Sequence, residues 1–358
     1  MTPGARSARD RRVRVVVVSA RVGAGHDGAA RELTRRFRSW SWQVDQVDFL
    51  DLLPGRIGHL LCSLYRHQLE RAPGSWDWIL AALDTPLLAA AARGLARLAV
   101  PRLARMLDPD LSLAVSTYPL ATHALAVALA RRVRPVPLVV YLTDPSVHRL
   151  SISRNAELTI APSQIAARQA HQQGARRTIV ARPIVAPKFR PLYTAGERDR
   201  LRAAFGLPRH TPLALVVAGS WGVGQVEQST ADVAASGIAV PVIVCGHNDS
   251  LRRRLAASAY PHVLGWVDNM AELIRACDVV VQNAGGLTAS EALASGVPVL
   301  TYRCLPGHGR TNAAALDAGG TVPWIRSRDD LARGLATALG ARTAPTAEQD
   351  RAAAGAAR

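Results

Sequence analysis

The chain has 358 residues, of which 49% are hydrophobic, enough for two domains that each have a core. Its formal net charge is +17, but the arginines are spread along the chain and do not alternate with aromatic residues, so we expect no nucleic-acid partner. Four widely spaced cysteines without a C-x-x-C pair exclude a disulfide framework and a zinc site and predict reduced thiols. No apolar run is long enough to span a membrane.

The first half of the chain alternates buried strands with helices, which predicts a parallel sheet in an α/β domain. Residues 1–12 are polar and basic and predict a disordered tail. The domain is predicted over residues 13–182. Its predicted strands cover 13–19, 43–48, 111–116, 136–142, 157–161 and 177–181, and its predicted helices cover 29–37, much of 54–106, 120–131 and 163–173.

A glycine loop, Gly23-Ala24-Gly25-His26, joins the first strand to the first helix. The start of a helix favours a neutral imidazole, and a neutral imidazole is what a general base requires, so His26 is a candidate catalytic base. The alternatives are an ordinary helix cap and a passive contact with a phosphate. The loop lacks the third glycine of the dinucleotide fingerprint and so indicates a dinucleotide only weakly.

Three polar residues follow the strand predicted at 136–142: Thr143, Asp144 and His148. Ligands of open parallel sheets bind beyond the carboxyl ends of the strands, which places these side chains at the same edge as His26. Asp144 can orient the imidazole or act as the base itself. Alternatively, Asp144 only closes a turn with Pro145.

The helical stretch 57–105 carries apolar and aromatic side chains beside arginines, for example Leu60, Leu64 and Trp78 with Arg93 and Arg97. This combination suits a surface that meets anionic lipid. The alternative is that these are simply packing helices of the domain.

Residues 183–193 contain several prolines and no periodicity, which predicts a linker. A second α/β domain is predicted over 194–340, and a loose tail over 341–358. The predicted strands cover 213–218, 240–245, 262–264, 279–281 and 297–301, and the predicted helices cover 197–205, a segment ending near 235, 248–257, 270–276, 288–295 and 331–339.

Two glycine turns of this domain come between a strand and a helix, where free backbone N–H groups form an anion site. One contains Gly219, Ser220, Gly222 and Gly224, and the other contains Gly285, Gly286, Leu287 and Thr288. Glu291 follows the second turn, where its carboxylate can accept hydrogen bonds from a ribose. Because Thr288 and Glu291 also have capping-box spacing, Glu291 is alternatively only part of the helix start.

Two further segments lie beyond predicted strands. Backbone groups near Val267 can bind the edge of a flat base, with Met270 packed against it. Residues 305–312 are predicted as a turn, and this turn includes His308 and Asn312.

The motifs SARVGAGH, YLTDPSVH, GSWGVG, GWVDNM, AGGLTASEALASGVPVL and PGHGRTN run from about residue 19 to residue 312. In this order and spacing, the chain resembles the GT-B glycosyltransferases of family 28. It is most similar to the monogalactosyldiacylglycerol-synthase-like branch and to the GlcNAc transferase that makes the lipid-linked peptidoglycan precursor. The resemblance implies two Rossmann-like domains whose parallel sheets face each other across a cleft.

The resemblance also implies roles for the candidate residues. The second domain would bind a UDP-sugar, with its diphosphate at the two glycine turns, uracil at Val267 and Met270, ribose at Glu291, and the sugar at His308 and Asn312. The first domain would bind the acceptor near His26 and Asp144, with Gly23, Gly25, Thr143 and His148 around it. Transfer would be a single inverting displacement that needs neither a cofactor nor a metal ion.

The related lipid-linked enzymes often carry Gln or Glu where this chain has Gly309, so the transferred sugar stays open among glucose, galactose and GlcNAc. The acceptor stays open among diacylglycerol, another lipid carrier and a soluble natural product. A UDP-sugar 2-epimerase of the same fold and a non-catalytic nucleotide-sugar-binding relative are the alternatives. We expect a cytoplasmic enzyme, peripheral on the inner face of the cell membrane.

Overall fold

The computed structural model describes residues 13–71, 74–258, 260–283 and 285–343. These residues form two compact units, one made of residues 13–68 and 74–184, the other of residues 69–71 and 185–343. The predicted tail at 1–12 lies outside the described residues, as does most of the tail predicted from 341.

The first unit contains a six-stranded sheet with the order β2-β1-β3-β4-β5-β6, in which all neighbouring strands are parallel. Its strands are β1 (Arg14–Ser19), β2 (Gln43–Asp48), β3 (Leu113–Ser116), β4 (Leu138–Tyr141), β5 (Leu158–Ala161) and β6 (Thr178–Val180). Its helices are α1 (Ala24–Ser39), α2 (Phe49–Leu52), α3 (Ile57–Arg71), α4 (Ser75–Leu83), α5 (Pro86–Arg97), α6 (Val100–Met106), α7 (Pro119–Ala130) and α8 (Gln164–Gln172).

The valine run of β1 explains why this sheet is covered on both faces. Successive side chains of a strand point to opposite faces. Val16 and Val18 therefore join one core cluster, and Val15 and Val17 join another on the other face. An uninterrupted apolar run is stable only in such a doubly covered parallel sheet.

Helices α3 to α6 expose an unusual amount of apolar surface. The predicted helical stretch is broken near its end, because α5 ends at Arg97 and α6 begins at Val100 with Pro101 in its first turn. The exposed large apolar side chains here are Leu60, Leu64, Trp78, Leu87, Leu88, Leu98 and Met106. In the part of the chain that is described, no single helix is long and apolar enough to cross a membrane; one sharply bent pair, Asp77–Leu83 with Pro86–Arg97, meets the length and composition criteria together.

The second unit repeats this architecture with the strand order β12-β11-β10-β7-β8-β9, again all parallel. Its strands are β7 (Leu213–Val217), β8 (Val240–Val244), β9 (Val263–Leu264), β10 (Val279–Gln282), β11 (Val299–Tyr302) and β12 (Trp324–Ile325). Its helices are α9 (Ala195–Ala204), α10 (Val226–Ala235), α11 (Asp249–Ala257), α12 (Met270–Ala276), α13 (Gly286–Ala294), α14 (His308–Ala318) and α15 (Arg328–Thr343).

Several helix starts differ from the sequence prediction, and three of them follow a glycine. Helix α1 begins at Ala24 instead of residue 29, α13 at Gly286 instead of Thr288, and α14 at His308, where a turn was predicted. The N-cap residues are Gly23, Gly285 and Gly307, and none makes a side-chain cap hydrogen bond. The usual Ser, Thr, Asp or Asn signal of a helix start is therefore missing from the sequence.

The proline-rich segment at 183–193 is packed rather than detached. The backbone N–H of Ile184 donates to the Tyr141 hydroxyl over 2.7 Å in the first unit. Phe189 is buried in the core of the second unit. The predicted loose tail also begins too early, since α15 continues to Thr343.

Candidate functional site

In the first sheet, the order in which the chain adds strands reverses between β1 and β3. The chain leaves β1 toward β2 on one side and later returns to β3 on the other side. Loops diverge at such a switch point and leave a crevice beyond the carboxyl ends of the two strands, which is where ligands of open α/β sheets bind. His26 in α1 follows β1, and Thr117 follows β3, so these residues lie on the two sides of this point.

The imidazole of His26 is held across the switch point by two oxygens. Its Nδ1 lies 2.7 Å from the carbonyl oxygen of Thr117 and 2.9 Å from the hydroxyl oxygen of Thr143. The Thr117 hydroxyl in turn donates to the carbonyl oxygen of His26 over 3.1 Å. His26 therefore bonds to a segment 91 positions away, and the alternative of an ordinary helix cap is wrong because Gly23 is the N-cap of α1.

This geometry assigns the tautomer of His26. A backbone carbonyl oxygen only accepts hydrogen bonds, so Nδ1 must carry the proton and donate it to Thr117. Nε2 of the neutral ring then has the free lone pair. A general base with an oriented ring and a defined lone pair is the arrangement that proton abstraction from a hydroxyl requires.

A pocket beside this ring brings the main acceptor-side candidates together. His26, Thr143 and Asp144 all line it, together with Thr117, Tyr118, Thr122, Tyr141, Ser146 and Ser151. Gly23, Gly25 and His148 are not among its lining residues. Nδ1 of His148 accepts from the backbone N–H of Leu150, and its Nε2 lies 3.2 Å from a carboxylate oxygen of Asp84.

Two tyrosines near the pocket were not assigned a role from the sequence. The ring of Tyr118 lies edge-on to His26 with centroids 5.4 Å apart, and burial raises the pKa of its phenol. Burial, and then the nearby Asp144 carboxylate, raise the pKa of Tyr65 in α3 to about 12. Both phenols therefore stay neutral. Tyr118 follows β3 at its carboxyl end, so the rule that selected Thr143 also selects Tyr118.

The second unit has its own switch point, between β7 and β10. The loop after β7 holds Gly219, Ser220, Gly222 and Gly224, and the segment after β10 leads through Gly285 into α13. Both predicted glycine turns of this unit therefore lie at the sheet edge where a ligand is expected.

The loop after β7 is packed closely against the loop after β8 at Gly222. A Cβ on Gly222 would lie 2.2 Å from the carbonyl oxygen of Cys245, and Gly222 has φ +55°. The side-chain amide of Asn248 donates to the carbonyl oxygen of Gly222 over 3.0 Å, and the backbone N–H of His247 donates to that of Ser220 over 2.9 Å. Glycine is required at position 222 for both backbone conformation and space.

The first turn of α13 is formed by Gly286, Leu287 and Thr288, after Gly285 with φ +81°. The backbone N–H groups at the start of a helix have no partners within the helix and favour an anion. Thr288 is the third helical residue and not the N-cap, so the capping-box alternative for Glu291 is wrong. Glu291 lies half-buried in the second turn of the helix.

The remaining donor-side candidates differ in exposure. Val267 and Met270 are half-buried and pack against the core. The neighbouring Trp266 is 51% exposed and stacks on His247 with ring centroids 4.2 Å apart. His308 and Asn312 lie one turn apart in α14, with Asn312 buried.

None of the four cysteines forms a disulfide, and Cys245 and Cys277 are buried. Within the described ranges, no group of three or more His, Cys, Asp or Glu side chains is arranged to hold a metal ion.

Comparisons with known proteins agree with this architecture. Residues 220–340 match the family model described as "Glycosyl transferases group 1". A processive diacylglycerol β-glucosyltransferase of Bacillus cereus (strain G9842) is 25% identical over 355 residues, covering 89% of this chain and 83% of that enzyme. The same-named enzyme of Bacillus pumilus is 25% identical over 211 residues, covering 57% of this chain and 55% of that enzyme.

Solved structures extend the likeness to the whole fold. MurG of Acinetobacter baumannii has a TM-score of 0.55 at 14% identity, covering 93% of this chain and 95% of that chain. Anabaena HepE in complex with UDP-glucose has a TM-score of 0.55 at 17% identity, covering 91% of this chain and 89% of that chain. The chain has the GT-B fold of these structures. The motif-based prediction of the fold is confirmed. The family model and the curated relatives agree with the predicted enzyme class.

Proposed function

We propose that this GT-B-fold protein is a glycosyltransferase that transfers a hexose or N-acetylhexosamine from a UDP-sugar to a lipid hydroxyl, with inversion at the anomeric carbon. The observation that carries the proposal is the bond from Nδ1 of His26 to the Thr117 carbonyl, because it leaves Nε2 as a base in a pocket that also contains Asp144. The comparisons support the class of donor and acceptor: HepE is in complex with UDP-glucose, and the curated relatives are named diacylglycerol β-glucosyltransferases.

In the proposed reaction, Nε2 of His26 takes the proton from the acceptor hydroxyl. The hydroxyl oxygen forms a bond to the anomeric carbon while the bond from that carbon to the diphosphate oxygen breaks. UDP leaves with the bonding electron pair, and the proton on the imidazolium passes to solvent. A β-product from an α-linked UDP-sugar requires this single inversion, which agrees with the names of the relatives.

The second unit would stabilise the departing UDP. The diphosphate would meet the backbone N–H groups of the loop at Gly219, Ser220, Gly222 and Gly224 and those at the start of α13, from Gly285 to Thr288. Donors fixed before the reaction stabilise developing negative charge without reorganising, and the helix dipole adds to them. Glu291 would accept hydrogen bonds from the ribose. Uracil would lie by Val267 and Met270, and the sugar by His308 and Asn312. The mechanism proposed here uses no metal ion.

The lipid acceptor would be reached at the membrane surface, on its cytoplasmic face. The exposed apolar side chains of α3 to α6 include Trp78 and Leu87, each 79% exposed. Arg93, Arg97 and Arg105 lie on the same helices and are exposed. Apolar side chains that enter the lipid interface and arginines that attract anionic head groups act together in peripheral binding.

The experiment is to measure UDP release from UDP-glucose, UDP-galactose and UDP-GlcNAc, with and without vesicles that contain diacylglycerol. Lipid-dependent release, a β-linked product by NMR and unchanged rates in EDTA are expected. Isomerisation of the sugar without an acceptor would indicate a 2-epimerase, and UDP binding without turnover would indicate a non-catalytic protein. Either result would overturn the proposal.

A further inference from the structure

A buried asparagine, Asn283, connects the two loops on either side of β10. It is the first residue after that strand and is 6% exposed. Its side-chain Nδ2 donates to the carbonyl oxygen of Val223 over 2.7 Å, in the loop after β7. Its own carbonyl oxygen accepts from the backbone N–H of Leu305 over 2.8 Å, in the loop after β11. Because β10 lies between β7 and β11 in the sheet, one residue bonds to both neighbouring loops.

The three segments are in close contact at this point. Gly224 has φ +98°, and a Cβ there would lie 2.6 Å from Nδ2 of Asn283 and 2.8 Å from Cδ2 of Leu305. Loops with this little free space cannot shift separately without breaking the asparagine bonds. The loops are therefore held in one arrangement by contacts among themselves.

We propose that Asn283 is a positioning residue that fixes the diphosphate-binding loops before the nucleotide arrives. The inference rests on the proposed UDP-sugar donor and extends it. Asn283 acts through Val223 and Leu305, on either side of the turn at Gly285 that opens α13. An anion site made of backbone N–H groups binds tightly only when those groups already point inward, since ordering the loops on binding would weaken the affinity.

An asparagine is required here by its chemistry. The carbonyl oxygen of Val223 needs a donor, and the primary amide supplies one without bringing a charge into a buried site. Asn283→Asp keeps the shape but places a carboxylate oxygen against that carbonyl oxygen. The loops remain tied at their outer ends, because Nη1 of Arg303 donates to Oε1 of Gln225 over 2.6 Å, so we expect the variant to fold.

The matched control is Asp278→Asn, at the other end of the same strand. Asp278 is buried and bonds to Arg202 over 2.5 Å and to the backbone N–H of Leu213 over 2.8 Å. Its substitution should lower the melting temperature and leave the contacts between the loops after β7 and β11 unchanged. Amide hydrogen exchange of the unliganded protein and calorimetric binding of UDP are measured on the wild type and both variants.

We expect Asn283→Asp to raise exchange in residues 219–225 and 303–307 by about tenfold and to weaken UDP binding by about tenfold, the effect of losing one buried hydrogen bond. The KM for the sugar donor should rise while the KM for the acceptor stays unchanged. Asp278→Asn should change neither the loop exchange nor the UDP affinity. If Asn283→Asp has the same amide exchange and the same UDP affinity as the wild type, the positioning role is overturned and the proposed donor is not. Wild-type protein that binds no UDP would overturn the proposed donor, and the inference with it, whatever the exchange shows.

Discussion

Nδ1 of His26 lies 2.7 Å from the carbonyl oxygen of Thr117, across the switch point of the first sheet. A backbone carbonyl oxygen, and not a carboxylate, orients the imidazole ring at Nδ1. The bond sets the tautomer, and Thr143 adds a second oxygen at 2.9 Å from the same nitrogen. The imidazolium formed during proton transfer would then be stabilised by a dipole rather than by a full charge at Nδ1.

Replacing His26 with alanine should lower kcat by about 10²–10⁴-fold, the usual contribution of a general base. The affinity for UDP should stay within twofold, because the ring lies in the first unit. Steady-state kinetics and calorimetry check both quantities. His171→Ala, an exposed residue of α8, is the control and should behave as the wild type. A kcat equal to that of the control would exclude His26 from the chemistry.

Replacing Glu291 with alanine should weaken binding of UDP by about tenfold or more, since two ribose hydroxyls would lose a charged acceptor. Binding of UDP is compared with binding of inorganic diphosphate, which lacks the ribose and should be unaffected. Asp329→Ala, exposed on α15, is the control. An equal loss for both ligands would mean that Glu291 acts on the loops and not on the ribose.

Gly222→Ala and Gly237→Ala separate backbone strain from crowding. Both glycines have positive φ, +55° and +66°, but only a Cβ at position 222 meets another atom, the Cys245 carbonyl oxygen at 2.2 Å. Gly237→Ala should cost about 1 kcal/mol of unfolding free energy, and Gly222→Ala about 1–3 kcal/mol more. Urea unfolding measures both. Similar losses in the two variants would show that the loop after β7 has room to adjust.

The double substitution Trp78→Ser with Leu87→Ser should reduce binding to anionic vesicles by about tenfold or more, because two exposed apolar side chains would no longer enter the lipid interface. UDP affinity should not change. The control is Trp40→Ser, which removes an indole that is 58% exposed outside these helices. Vesicle sedimentation at low and high salt separates the apolar contribution to vesicle binding from the arginine contribution. High salt should weaken only the arginine contribution. Equal vesicle binding by the two variants would argue against this surface.

Glu32 in α1 gives a pH-dependent stability with a defined sign. It is 4% exposed and bonds to Arg35 and Arg36, each over 2.8 Å. The hydrogen bond from Arg35 is the main cause that holds the pKa of Glu32 below its ordinary value of 4.5, against the opposing effect of burial. A lowered folded-state pKa stabilises the protein above the unfolded value and loses that stabilisation as the pH falls.

The unfolding free energy of Glu32→Gln should therefore be lower than that of the wild type by about 1 kcal/mol at pH 7. The difference should shrink as the pH falls below 4.5. Urea unfolding at several pH values measures it. A difference that does not depend on pH would show that packing and not charge is the cause.

The sequence by itself determined the α/β class, the two units and nearly all strands, because most buried parallel strands are short apolar runs such as Val15–Val18. It also determined the edge at which the candidate residues lie, since each follows a strand. The short β12 gave no such run, and the helices that begin after Gly23, Gly285 and Gly307 gave no side-chain cap signal.

Only the tertiary structure decided which of these residues meet. The bond from His26 to Thr117 joins residues 91 positions apart, and Asn283 bonds to Val223, 60 positions away. A backbone carbonyl looks the same at every position of a sequence, so neither partner has a sequence signal. Strand order is the physical reason, because it brings β1 next to β3 and β7 next to β10. The first pair of neighbours sets the tautomer of His26, and the second sets the loop contacts of Asn283.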